Sequence, residues 1–314
     1  MAERRILVVG GSGVIGRQLV PLLVARGHRV TVLARSDASA QAVEAMGAQS
    51  VRGDILAPDT LGAAAAAQDV IVHLATRIPR AFPGRPDDFA ENDRIRSEGT
   101  RHLLAAAESA GVARVVLQSI IWVHGDHGET WIDETAAIKP ARLTRSAVDL
   151  ETQGGAFAAR TGAAVTTLRC GSLYAADAWH TREVVRRLRG RTLPIVGDGA
   201  NYQGFVHADD AAAAFAAAAT SAGSTGTFFV TDDEPARMAD FLRWLALAAG
   251  ASAPLHLPAF MARLALGAEM EAAYGASLRC RNDQIKQQLG WAPRYATFRD
   301  GYAEALPRLS DSAR

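Results

Sequence analysis

A strand, a glycine-rich turn, a helix and a second strand occupy residues 5–35, RILVVGGSGVIGRQLVPLLVARGHRVTVLAR, and this unit constrains the fold more than any other stretch. Ile6-Leu7-Val8-Val9 is an unbroken apolar run, the pattern of a parallel strand buried on both faces. Gly10, Gly13 and Gly16 follow, and Ile15, Leu19, Leu22 and Leu23 then recur at helical spacing, with a kink expected at Pro21. The second strand spans residues 29–34. Glycines at such a turn let the backbone bend sharply and let a pyrophosphate approach the main chain, while the helix N-terminus offers unpaired N–H groups to the anion. Gly10, Ser12, Gly13, Val14, Ile15 and Gly16 are therefore candidate dinucleotide contacts.

The end of the second strand selects the dinucleotide. A carboxylate there would accept hydrogen bonds from the ribose 2′-hydroxyl of NAD, whereas a guanidinium pairs with the 2′-phosphate of NADP. Arg35-Ser36 stands at that position and the nearest carboxylate is Asp37, which favours NADP(H) over NAD(H). The plainer reading of Arg35 is a solvated surface residue.

The bulk numbers mainly exclude. With 314 residues, 49% of them hydrophobic, the chain can build about two domains or one large α/β unit. A formal net charge of +1 gives no general attraction to nucleic acid or to an anionic membrane. Cys170 and Cys280 form neither a metal-site spacing nor a disulfide framework, which fits a cytoplasmic protein without a metal. The apolar run after Arg4-Arg5 is too short for an export signal, and no segment is long enough to span a bilayer.

The spacing G-x-x-G-x-x-G, written GGSGVIG, resembles the extended and atypical branches of the short-chain dehydrogenase/reductase superfamily, the NAD(P)-dependent epimerase/dehydratase-like proteins. The resemblance implies a doubly wound parallel Rossmann sheet over residues 1–173, a returning segment at about 205–222, and a mainly substrate-binding α/β region over 174–314. It makes Asp54, with Ile55 after it, an adenine contact, although a helix cap or loop carboxylate is an equal reading of Asp54. His73-Leu74-Ala75-Thr76 resembles the H-x-A segment, so Leu74, Ala75 and Thr76 would run beneath the nicotinamide ribose. Gln118-Ser119-Ile120-Ile121-Trp122-Val123-His124-Gly125 resembles S-S-x-x-V-Y-G, which places Gln118 at the cofactor and Ser119 beside the usual catalytic hydroxyl position.

The usual catalytic set is broken. The superfamily asparagine position holds Arg96, and the Tyr-x-x-x-Lys positions hold Leu143 and Ala147. The first tyrosine of the chain is Tyr174, and the only lysines are Lys139 and Lys286. What remains is Ser119 to polarise an oxygen, His124 or Tyr174 as an acid or base, and Arg145 to orient a carboxylate or enolate. A strand-end hydrogen bond for Ser119 and a surface ion pair for Arg145 are the plainer alternatives. Trp122, Asp177, Trp179, His180 and His207 are expected to line the substrate pocket, with Asp177, Trp179 and His180 on a loop over 174–181 and a helix following over 182–189.

Other helices are expected over 41–46, 60–68, 89–110 without interruption, and 211–219. The function expected is NADP(H)-dependent reduction of a small conjugated or aromatic carbonyl compound, with a homodimer as the usual assembly. The alternatives are a nucleotide-binding isomerase, cyclase or dehydratase without net redox, and a regulatory protein that senses NADP.

Overall fold

Apolar runs become strands in the computed structural model, which describes residues 2–80, 84–221, 223 and 225–311. In chain order the strands are β1 (Arg5–Val9), β2 (Arg29–Ala34), β3 (Gln49–Arg52), β4 (Val70–His73), β5 (Arg114–Ile120), β6 (Trp131–Ile132), β7 (Ala164–Cys170) and β8 (Ser172–Tyr174). Then come β9 (Ile195–Val196), β10 (Tyr202–Gln203), β11 (Phe205–His207), β12 (Gly226–Val230), β13 (Ala236–Arg237), β14 (His256–Leu257) and β15 (Arg279–Cys280). Seven of them form one parallel sheet in the order β12-β7-β5-β4-β1-β2-β3. This is the doubly wound fold expected, and the order reverses between β1 and β4, where open α/β sheets leave a crevice at their carboxyl ends.

Both faces of the central strands β1, β4 and β5 are dry over most of their length, which is why they read as continuous rather than alternating apolar runs. On one face Ile6, Val8 and Val72 pack with Leu19 and Leu23 of α1 (Gly16–Ala25) and with the alanines and Phe215 of α8 (Ala208–Thr220). On the other face Leu7, Val9 and Ile71 meet Leu103 and Leu104 of α5 (Thr100–Ser109) and Leu150 and Phe157 of α6 (Arg145–Thr161).

Several expected boundaries shift for identifiable reasons. α1 runs through Pro21. α2 (Asp37–Glu44) starts four residues before the expected 41, because Ser36 caps it: its hydroxyl accepts from the Ser39 N–H while the Ser39 hydroxyl takes the Ser36 N–H. α3 is only Leu61–Ala65, after a 3₁₀ turn at Pro58–Thr60, and Ala67 then reaches φ +59°. The helix over 89–110 is divided into α4 (Ala90–Arg94), a π-helical turn (Ile95–Gly99) and α5. The loop over 174–181 is replaced by the end of β8 and the start of α7 (Trp179–Arg189).

The C-terminal region has its own aromatic core, where Tyr174, Phe205, Phe241, Phe298 and Tyr302 gather between α7, α9 (Met238–Ala248) and the last helix. Three further helices, α10 (Ala259–Leu266), α11 (Ala268–Gly275) and α12 (Asp283–Leu289), lead to that closing helix, α13 (Phe298–Asp311). Just after α12, the Trp291 indole donates to the Asp210 carbonyl at 2.9 Å, and the Asp210 carboxylate accepts the Arg294 and Tyr295 N–H groups at 2.8 and 3.0 Å. The end of the chain is thereby fastened to α8, under the sheet.

Candidate active site

The glycine turn is shaped so that its backbone stays uncovered. Gly10 sits at φ +95°, and a Cβ there would lie 2.7 Å from the Ala75 nitrogen; one at Gly16 would lie 2.5 Å from Gly11 Cα. Gly13 donates its N–H to the Gly10 carbonyl at 3.0 Å, closing the turn at the start of α1. Val14 packs against Ala175, Ala178 and Ala208 from the returning chain, and Ile15 is buried beneath it. Such a cradle fits a pyrophosphate on the helix N-terminus. Two residues beside it were not singled out in their present role: Arg17 donates from Nη1 to the Ser12 carbonyl at 3.2 Å and from Nε to the Asp177 carboxylate at 2.9 Å. Asp177 is thus tied to Arg17 beside the glycine turn rather than standing on a free substrate loop.

At the far end of β2 the Arg35 side chain is half exposed, with Nη1 3.7 Å from Glu91, which also lies 3.5 Å from Arg77. Ser36 is engaged as the α2 cap. Asp54 uses Oδ1 to accept the Leu56 N–H at 2.9 Å, so its loop role is real, and Ile55 is buried against Gly99. Leu74 is buried, and Ala75 and Thr76 are half-buried as the chain leaves β4. His73 is held as a neutral ring, since burial, and secondarily Arg96, lower its pKa to about 4. Its Nδ1 accepts the Ala75 N–H at 3.2 Å while Nε2 meets the Thr100 hydroxyl at 3.1 Å.

The polar residues at the end of β5 form a closed network instead of an open catalytic set. Ser119 is fully buried and donates its hydroxyl to Glu151 Oε1 at 2.5 Å. Arg169 grips the same carboxylate with Nε at 2.9 Å and Nη2 at 2.6 Å, and its Nη1 donates to His124 Nε2 at 2.8 Å. His124 is itself fully buried, its Nδ1 meets the Ala137 carbonyl at 3.3 Å, and burial followed by Arg169 lowers its pKa to about 4. The expected acid or base is therefore a neutral brace for Arg169, and Ser119 has the strand-end hydrogen bond given as its plainer reading. Gln118 is half-buried on the opposite face of β5. Glu151 was not among the residues expected from the sequence; an acidic residue one turn beyond Ala147, on the face of α6 that buries Leu150 and Gly154, is the signal that could have found it.

Other expectations are corrected by burial. Tyr174 is 1% exposed, stacks on Tyr302 with centroids 4.3 Å apart, and lies against Gly301, and burial drives its phenol pKa upward. It belongs to the C-terminal core rather than to the crevice. His207 is likewise buried, accepting the Asp209 N–H at 3.2 Å as the cap of α8. Trp179 and His180 are in the first turn of α7, where His180 Nε2 meets the Leu173 carbonyl at 2.7 Å. Trp122 packs half-buried beside Ile121, Ile132 and Phe229, and Arg145 is exposed at the start of α6. Leu143 and Ala147, at the dyad positions, are both buried and apolar.

Comparison with known proteins bears on the family and the fold. The model of the NAD dependent epimerase/dehydratase family matches residues 6–230. A 3-diazoavenalumate denitrifying reductase of Streptomyces sp. is 36% identical over 309 residues, covering 95% of this chain and 98% of the relative. A 2-alkyl-3-oxoalkanoate reductase of Stenotrophomonas maltophilia is 29% identical, covering 79% and 76%. Among solved structures, the dTDP-glucose 4,6-dehydratase DesIV of Streptomyces venezuelae with NAD bound superposes with a TM-score of 0.79 at 24% identity over 98% and 97% of the two chains, a likeness of fold. No helix among the described residues is long and apolar enough to cross a membrane. The chain belongs to the NAD dependent epimerase/dehydratase family and is an NAD(P)-dependent oxidoreductase within it.

Proposed function

We propose that the protein is an NADP(H)-dependent reductase of a small aromatic or conjugated carbonyl compound. The observation that carries this reading is the pair of buried apolar side chains, Leu143 and Ala147, where a proton-relaying tyrosine and lysine would stand. The dinucleotide, when bound, supplies a hydride. Neither acid expected from the sequence is then in place to protonate an alkoxide: His124 is neutral and braced by Arg169, and Tyr174 is in another core. Hydride addition to a conjugated carbonyl leaves an enolate or phenolate, a weaker base that water can protonate, so the missing acid is no obstacle. Gly10, Gly13 and Gly16 would hold the pyrophosphate, and Arg35 beside Ser36 supports NADP(H), its guanidinium being half exposed and only 3.7 Å from Glu91.

A second acceptor is favoured by the relative that aligns over 95% of this chain, whose name describes the reduction of a diazo compound with loss of nitrogen. A hydride that replaces the leaving dinitrogen on a diazonium carbon forms a C–H bond as the C–N bond breaks, and that reaction also draws no proton from the protein. The test is a fluorescence titration with NADPH and NADH, repeated with Arg35→Ala, followed by turnover of conjugated ketones and of arenediazonium acids read at the nicotinamide absorbance and as gas evolved. NADPH is expected to bind more tightly than NADH, with the preference falling about tenfold in the variant. Failure to bind either nucleotide, or product formed without net NADPH oxidation, would refute the proposal.

A further inference from the structure

Arg96 is a buried charge whose Nε finds no hydrogen-bond acceptor among the described residues, the carboxylates of Asp93 and Glu151 favouring it only through space. It sits in the π-helical turn between α4 and α5 and is 3% exposed. The carboxylates around it are engaged elsewhere. Glu151 is gripped by Arg169 and Ser119, and Asp93 accepts the Ser146 hydroxyl at 2.7 Å. Both favour the charge of Arg96 through space, but neither accepts a hydrogen bond from its Nε. Burial lowers the guanidinium only to about 10, so it remains charged at neutral pH. A buried ion without a hydrogen-bonded counter-charge is unfavourable, so its position calls for an account.

Its place is informative. The π turn is sewn to α6 by the Ser97 hydroxyl on Asp149 at 3.2 Å and by the Gln153 amide on the Ser97 carbonyl at 3.0 Å, so Arg96 is held on the side of the sheet where α6 carries Ala147. Its charge acts on His73 at the end of β4 and on Cys170 at the end of β7. Those strand ends are on the half of the sheet across the β1/β4 switch from β2 and β3, and a dinucleotide whose 2′-phosphate end lies at Arg35 has its nicotinamide end there. A π turn inside a helix is itself a frequent mark of a functional position.

We propose that Arg96 is the cation of the nicotinamide half of the site, contacting the cofactor there and biasing the protein toward the reduced, uncharged nicotinamide over the oxidised, cationic one. The bias follows from like-charge repulsion and suits an enzyme that takes up NADPH and must release NADP⁺. This inference rests on the nucleotide reading above.

The test compares NADPH and NADP⁺ affinities of the wild type, Arg96→Lys, Arg96→Met and Arg96→Gln by fluorescence and calorimetry, and the melting temperatures of the nucleotide-free proteins. The wild type and the lysine variant should prefer NADPH. The methionine and glutamine variants should lose about tenfold of that preference, as expected for removing one charge from a partly screened site. Their nucleotide-free forms should melt no lower than the wild type, because a buried charge without a hydrogen-bonded counter-charge has been removed. An unchanged preference in both neutral variants, or neutral variants that melt lower or do not fold, makes Arg96 a structural residue and overturns the inference. A wild type that binds neither nucleotide brings down the cofactor reading itself, whereas binding with an unchanged preference refutes Arg96 alone.

Discussion

Ser119, Glu151, Arg169 and His124 show how one residue's chemistry depends on its partners. The sequence placed Ser119 and His124 correctly at the end of β5, but Glu151 is 32 residues from Ser119 and Arg169 is 45 from His124, and those separations hid the network. Ser119→Ala should cost about 1–2 kcal/mol of stability in a denaturant titration by leaving Glu151 short of a donor, with nucleotide affinity unchanged. Lost turnover at full stability would instead restore a catalytic role to this hydroxyl. Two of the buried histidines, His73 and His124, make a pH prediction. Burial, aided by Arg96 for His73 and by Arg169 for His124, holds both to about 4 against an ordinary 6.5. The unfolded chain therefore takes up protons that the folded one refuses. Their stabilisation is complete above about pH 6.5 and is lost as pH falls toward 4, by about 3 kcal/mol for each histidine. Urea midpoints measured between pH 7 and 4.5 should show that decline, with a shallower slope in His124→Asn; a flat profile would mean that the rings are already protonated or exposed.

At the scale of elements, the β1–turn–α1 unit was readable because glycine spacing and apolar period are local properties. Two glycines separate the roles that the residue can play. Gly16→Ala puts a methyl against Gly11 and the Gly10 carbonyl and should destabilise by about 1–3 kcal/mol while weakening nucleotide binding. Gly155→Ala, on an exposed face of α6 where a Cβ would meet nothing within 4 Å, should stabilise by about 0.5–1 kcal/mol through helix propensity alone. Thermal melts of the pair check both signs, and a stabilised Gly16→Ala would contradict the packing described. The early start of α2 was also written locally, in Ser36 and Ser39, but the apolar pattern that begins at 41 masked it. The π turn at Arg96 was not legible, because an extra residue in a helix is set by the side chains that dock on it rather than by its own periodicity.

The whole molecule is closed by contacts from its last quarter. Trp291 is 4% exposed in the core formed with α1 and α8, and its indole holds the Asp210 carbonyl. Trp291→Ala should cost about 3–5 kcal/mol in the denaturation midpoint, loosening the sheet as well as the C-terminal region. A loss below about 1 kcal/mol would show that the chain end is not integral to the nucleotide-binding unit. What the sequence determined by itself was the order of strands and helices around the sheet, the glycine turn, Arg35 at the end of β2, and the missing tyrosine and lysine. Each of these follows from residue type, from the absence of a side chain, or from a period read over a few turns. Tertiary structure alone decided which polar groups are sealed and by whom: Tyr174 on Tyr302, His124 on Arg169, Asp177 on Arg17, and Arg96 with no hydrogen-bond acceptor for its Nε among the described residues. Burial and pairing are set by residues tens to hundreds of positions apart, and they fix the charge and reach of every candidate acid, base or anchor.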